Sequence, residues 1–160
     1  MQEGFMAGRI DARLAELGIE LPKAASPVAA YVPAVRTGNQ LFISGQIPLW
    51  NGELRHVGKL GAGYSIEEGR EAARTCALNL IAQAKAALDG DLDRITRVVK
   101  LVGFVNSTGD FNDQPKVING ASELMQDVFG DAGKHARSAV SAASLPLGVA
   151  VEVEAIFEVV

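Results

Sequence analysis

From Val149 onward every odd position is apolar, Val149, Val151, Val153, Ala155, Phe157 and Val159, while the even positions carry Glu152, Glu154 and Glu158. A period of two marks a strand with one buried and one polar face. His135–Val140 precedes it across Ser144-Leu145-Pro146-Leu147-Gly148, so the last quarter reads as two strands joined by a short loop. In a simple hairpin Ala143 would pair with Val149 and Arg137 with Ala155. That register puts Arg137 on the face away from Glu152, because a one-residue change of phase exchanges the faces. A bulge could restore a common face, or the two could meet by another route, across a subunit boundary.

Taken in order, Ile10, Leu14 and Leu17 recur at three- and four-residue spacing between Gly8 and Gly18, which predicts a short amphipathic helix closed by a glycine. Pro22 and Pro27 keep the following chain extended. Tyr31–Arg36 reads as an edge strand, since Pro33 has no N–H for a ladder. Thr37-Gly38-Asn39 is a turn and Gln40–Ser44 the strand that answers it. Trp50-Asn51-Gly52-Glu53 predicts a second turn. Ser65 with Glu68 forms a capping box, opening a helix to about Leu88 with Ala73, Cys76, Leu80, Ala84 and Ala87 along one stripe. Ile95–Val105 is the strongest central-strand candidate. Lys116–Phe129 reads as a second long helix whose start is blurred by Pro115 and Gly120.

Strands, helix, strand, helix and strands in that order imply an α+β layer, two long helices covering one face of a mixed sheet. The other face also needs cover, and association of like subunits supplies it. At 160 residues, with 48% hydrophobic and 21% charged residues, the chain fits one globular domain over 1–160 and excludes a disordered chain. A net charge of −4 argues against a large basic footprint for nucleic acid. The N-terminus lacks the basic-then-apolar pattern of a signal peptide, and no apolar run approaches a membrane span, so a cytoplasmic protein is expected.

The residues exclude more chemistry than they offer. The one cysteine, Cys76, falls in a helix stripe and reads as a buried inert thiol. His56 and His135 have no metal-binding partner at ligand spacing. Gly58, Gly61 and Gly63 match neither a Walker loop nor a dinucleotide fingerprint, and read as a plain loop. What stands out is a small set of polar residues in apolar settings: Tyr31, Ser44, Asn119, Arg137 and Glu152. Arg137 offers a planar fork for a carboxylate or phosphate, and Glu152 on a sheet can take or orient a proton. Each also has an ordinary role, Arg137 in a structural ion pair and Glu152 facing water.

Tyr31-Val32, Gly38-Asn39, Ser44-Gly45-Gln46-Ile47-Pro48, Asn79-Leu80, Val117-Ile118-Asn119, Arg137-Ser138-Ala139-Val140, Leu145-Pro146 and Val151–Ala155 together resemble the RidA/YjgF family over roughly residues 26 to 158. The resemblance implies the chorismate-mutase-like α+β fold as a homotrimer with ligand clefts between subunits. It implies hydrolysis of reactive 2-imino acids, or their enamines, to 2-keto acids and ammonia, without metal or organic cofactor. Arg137 would clamp the substrate carboxylate and Glu152 would orient water, with Tyr31, Ser44 and Asn119 lining the cleft. Many members carry a cysteine where this chain has Ala139. Residues 1–25, with their short helix, would be an N-terminal extension, and the loops over 56–64 and 107–114 look altered. These departures resemble a divergent branch whose members are often labelled endoribonuclease (L-PSP) or translation inhibitor. The alternatives to an imine deaminase are a non-catalytic trimer that binds a small keto acid, and RNA binding or cleavage.

Overall fold

The computed structural model describes residues 8–27 and 29–160. A five-stranded mixed sheet carries the helices on one face. Its strands, in spatial order, are β1 (Ala34–Thr37), β2 (Gln40–Gln46), β7 (Val151–Val159), β5 (Ile95–Asn106) and β6 (Ala136–Ala142). Every pairing is antiparallel except β5 with β6. Two short strands, β3 (Leu49–Trp50) and β4 (Glu53–Leu54), form a separate hairpin around Asn51-Gly52. Both turn residues take positive φ, the geometry that favours Asn-Gly in a two-residue hairpin.

Helix α2 (Ile66–Ala87) begins at the Ser65 capping box, with both reciprocal hydrogen bonds formed. Its buried side is wider than the expected stripe, taking in Asn79 and Gln83 as well as Ala73, Cys76, Leu80 and Ala84, while Ala87 is exposed. Asn79 and Gln83 tolerate burial because their amides donate to the backbone carbonyls of Leu49 and Ala25, which lie over this side of the helix. Helix α3 (Gln114–Phe129) starts two residues earlier than expected, with Pro115 in its first turn, where a missing N–H costs nothing. Gly120 lets α3 approach α2 so closely that a Cβ there would overlap the Arg70 carbonyl oxygen.

Helix α1 (Arg9–Glu16) buries Ile10 and Leu14 and ends at Leu17, with Gly18 at φ +68°. Its first N–H groups, from Arg9 and Ile10, donate to the two oxygens of Asp93 at 2.8 Å each. A carboxylate supplied from the far side of the chain thus performs the capping that Gly8 cannot.

The alternation along β7 is borne out: all its odd positions are buried under the helices and its even positions are not. The hairpin between the last two strands is not. β6 lies parallel to β5, and β5 separates it from β7. The reason is α3, which carries the chain back across the sheet as a parallel crossover requires. The first edge strand is also shorter than expected, since the ladder begins at Ala34 and leaves Tyr31–Pro33 outside it.

The face opposite the helices is open. Val35, Phe42, Val102, Phe104, Val140 and Ile156 lie on it, together with Lys100, Glu152 and Glu154. Val35, Phe42 and Val140 are exposed there, more than a third of each in contact with solvent.

Candidate functional site

The polar residues singled out from the sequence fall into two groups. Tyr31, Ser44 and Gly45 line a cleft of about 250 Å³ whose rim also includes Ala25, Pro27 and Leu147. The backbone makes this cleft by a bulge: β2 and β7 are in register to Ile43↔Ala155 and resume only at Gln46↔Val153. The extra residue turns Gly45 toward Glu152, and a Cβ at Gly45 would stand only 3.0–3.1 Å from the Glu152 side chain. The Ser44 hydroxyl donates to the Pro33 carbonyl at 3.1 Å, which leaves its lone pairs to the cleft.

Glu152 is half-buried, and burial, with the neighbouring Glu154 charge, raises its pKa above the ordinary carboxylate value. No described residue donates a hydrogen bond to it or pairs with it as an ion. A carboxylate in that condition is a ready acceptor for water and a better base than a salt-bridged one.

Arg137 and Asn119 form the second group. Arg137 shares a row with Leu101 of β5, which shares one with Ala155 of β7, so its side chain leaves the sheet on the helix side. There its Nη1 donates to Asn119 Oδ1 at 2.8 Å and to Ser122 Oγ at 3.2 Å, both on α3. These use both Nη1 hydrogens, so the edge of the fork left for a ligand is Nε with Nη2. The structural ion pair considered for Arg137 is not found: no described carboxylate lies within ion-pair distance of it. A half-buried arginine held by neutral acceptors, its remaining donors open, suits an incoming anion.

Ser122 and His135 were not among the residues expected here. His135 Nε2 lies 2.9 Å from Ser122 Oγ, and its Nδ1 lies 2.6 Å from the Gly133 carbonyl. Burial lowers the pKa of His135, with the Arg137 charge acting the same way and the Gly133 hydrogen bond opposing. The sequence carried one signal for this cluster, the i, i+3 spacing of Asn119 and Ser122 on one helix face.

The two groups do not meet within one chain. Glu152 faces the open side of the sheet, sharing a row with Phe104, while Arg137 faces the helices. Two strand spacings and three residues separate them, about 14 Å between Cα atoms at ~4.8 Å per strand and ~3.3 Å per residue.

Elsewhere the chemistry is quieter. Cys76 is fully buried, its Sγ 3.4 Å from the Val151 carbonyl, and burial pushes its thiol pKa well up, so it is no nucleophile. His56, at φ +56°, meets the Tyr64 hydroxyl at 2.9 Å across the loop over 56–64. Among the described residues no three His, Cys, Asp or Glu side chains gather as a metal site, and no helix is long and apolar enough to cross a membrane.

Residues 11–159 match the family described as "YjgF/chorismate_mutase-like, putative endoribonuclease". The chain belongs to that family. Protein TCP17 of Trypanosoma cruzi is 52% identical over 153 residues, 95% of each chain. A 2-iminobutanoate/2-iminopropanoate deaminase of Dermatophagoides farinae is 30% identical over 86% of this chain and 92% of its own. Among solved structures, the Agrobacterium tumefaciens protein Atu1372, of unknown function, superposes with a TM-score of 0.88 at 48% identity, covering 94% of this chain and 92% of its own. Escherichia coli TdcF with bound serine superposes at 0.62 with 26% identity, covering 87% and 95%. The YjgF-type fold is therefore shared over nearly the whole described chain.

Proposed function

We propose that the protein is a hydrolase that converts reactive 2-imino acids to 2-keto acids and ammonia, in clefts formed between copies of the chain in a homotrimer. The observation that carries this reading is Arg137: half-buried, oriented by Asn119 and Ser122, and without a carboxylate partner among the described residues. A 2-imino acid brings that carboxylate. The Nε–Nη2 edge of Arg137 grips it bidentately and fixes the adjacent imine carbon.

Glu152 of a second copy, against which that copy's Gly45 packs, completes the site, with Tyr31 and Ser44 lining the cleft that adjoins Gly45. Its raised pKa lets it accept a proton from water as the water oxygen bonds to the imine carbon and the C=N π pair moves to nitrogen. Glu152 passes that proton to the nitrogen to give the carbinolamine. It then takes the hydroxyl proton as C=O forms and returns it to the nitrogen, which leaves as ammonia when the C–N bond breaks. An imine is already electrophilic, so positioning, electrostatics and this proton transfer are the whole of the protein's work. The open apolar face, with Val35, Phe42 and Val140 exposed, supports the assembly this requires.

The test generates 2-iminobutyrate in place with a threonine dehydratase and follows keto-acid release against the spontaneous rate. Wild type accelerates release and Arg137→Ala does not, while remaining assembled. No acceleration by a folded, assembled wild type would remove the reading. A second reading, a non-catalytic trimer that binds a small carboxylate metabolite, is favoured by the serine held by TdcF. It predicts saturable keto-acid binding lost in Arg137→Ala, with no turnover by either protein.

A further inference from the structure

The contacts around Arg137 form a chain whose direction is fixed by chemistry. The Gly133 carbonyl can only accept, so at 2.6 Å it requires the proton on His135 Nδ1. In the neutral ring Nε2 is then the acceptor, and the Ser122 hydroxyl must donate to it at 2.9 Å. With its proton committed, Ser122 Oγ presents lone pairs to Arg137, whose Nη1 donates to it at 3.2 Å. Asn119 Oδ1 accepts the other Nη1 hydrogen. Each of the four contacts joins one donor to one acceptor, and none sets two donors or two acceptors against each other.

We propose that Ser122 and His135 are positioning residues for the Arg137 guanidinium, a directed hydrogen-bond chain anchored on the Gly133 carbonyl that holds the fork in one orientation. Neither touches the ligand edge of the fork. Their work is to remove the rotational freedom of a long side chain before the ligand arrives, which is what preorganisation contributes to binding.

The chain also has a sensitivity. An imidazolium has two donors and no acceptor, so protonation of His135 makes the Ser122 hydroxyl turn its own proton away and places a like charge beside Arg137. Arg137 is the charge that bears on the ring; from α3 it meets the neutral Ser122 and, beyond it, Asn119, and from the turn before β6 the Gly133 carbonyl. The nearby ionic groups are engaged elsewhere, Lys134 with Asp131 and Glu123 with Arg70. On β5, Lys100 pairs beside Ala136 and belongs to the open face. The fork is therefore ordered above the depressed His135 pKa and loosens as pH falls through it.

The inference rests on Arg137 being the carboxylate clamp, but its first readout does not. In the 15N spectrum of the assembled wild type, Arg137 shows separate, slowly exchanging Nη signals above pH 7 and His135 the Nδ1–H tautomer. The Arg137 signals merge as His135 titrates. His135→Gln, which keeps an acceptor for Ser122 but does not titrate, holds Arg137 ordered through the same range. The second readout is the affinity for 2-oxobutyrate at pH 8. Ser122→Ala weakens it at least about tenfold, Ser122→Thr restores it, and His135→Gln stays within about threefold of wild type. Arg137 signals indifferent to His135 titration, or Ser122→Ala binding like wild type, would overturn the proposal. An ordered, pH-responsive Arg137 in a protein that binds no keto acid would sustain it and overturn the clamp instead.

Discussion

Arg137 and Glu152 leave opposite faces of one sheet, with β5 between their strands. No side-chain rotation brings them to one small molecule within a chain. In a closed ring of identical copies each cleft would instead take its arginine from one copy and its glutamate from the next. Arg137→Ala and Glu152→Gln are each inactive alone under this arrangement. Mixed in equal amounts and allowed to co-assemble, they regain about a quarter of wild-type activity, because only a cleft between one variant's arginine and the other's glutamate is whole. Absence of recovery in oligomers verified as mixed by mass spectrometry would sink the shared cleft.

Under the same arrangement the open face would be an interface. Phe42 stands on it beside Val35 and Ile156, and is 38% exposed in the single chain. Phe42→Glu puts a charge where an apolar patch should be dry, at a cost of several kcal/mol for each copy once buried. The variant is expected to sediment as a folded monomer, with unchanged far-UV circular dichroism and no imine hydrolysis. A trimer that survives the substitution would mean another surface holds the copies together.

Much of this fold was legible because its signals are local. The Ser65–Glu68 box, the Asn51-Gly52 turn, Gly18 after α1 and the alternation along β7 each act within a few residues, and each stands where the sequence put it. The expected hairpin of the last two strands fails because strands adjacent in sequence are not adjacent in this sheet. β6 gives little hydrophobic pattern to correct this, since as an edge strand it keeps its alternate positions only half-covered. The better signal was the strand–helix–strand order of β5, α3 and β6, which allows a parallel pair. Arg137 still lies on the face expected from the hairpin, because β5 between β6 and β7 keeps Arg137, Leu101 and Ala155 on one row. Ser122 and His135 are not legible for a different reason: they lie 13 residues apart on different elements, at a spacing that belongs to no motif.

Glu152 should contribute to activity at the expense of stability. Its pKa is raised in the folded protein, first by burial and then by Glu154, above the unfolded value of 4.5. The folded state therefore holds the proton more tightly, and stability falls as pH rises from 4.5 through the folded pKa. Above that point the ionised, half-buried carboxylate is a standing strain. Glu152→Gln is expected to melt slightly above wild type at pH 7.5 while losing hydrolysis, and the gap should close toward pH 4. A variant that melts lower at pH 7.5 would show that the carboxylate supports the fold.

Two glycines separate what the site needs from what the fold needs. At Gly45 a Cβ would press on the Glu152 side chain at 3.0–3.1 Å, and that side chain can swing away. At Gly120 it would strike the Arg70 backbone carbonyl, which α2 holds rigidly. Gly45→Ala should leave the melting temperature nearly unchanged and lower kcat at least about tenfold, since a base displaced by a few tenths of an ångström no longer lines up with its water. Gly120→Ala should lower stability by about 2–3 kcal/mol through overpacking. For a domain of this size that is a fall of about 5–10 °C. The fraction that remains folded should turn over imine normally, because α3 still carries Asn119 and Ser122 to Arg137. Calorimetry beside the hydrolysis assay distinguishes the pair, and a Gly45→Ala protein with full activity would mean that Glu152 does not need its place beside the bulge.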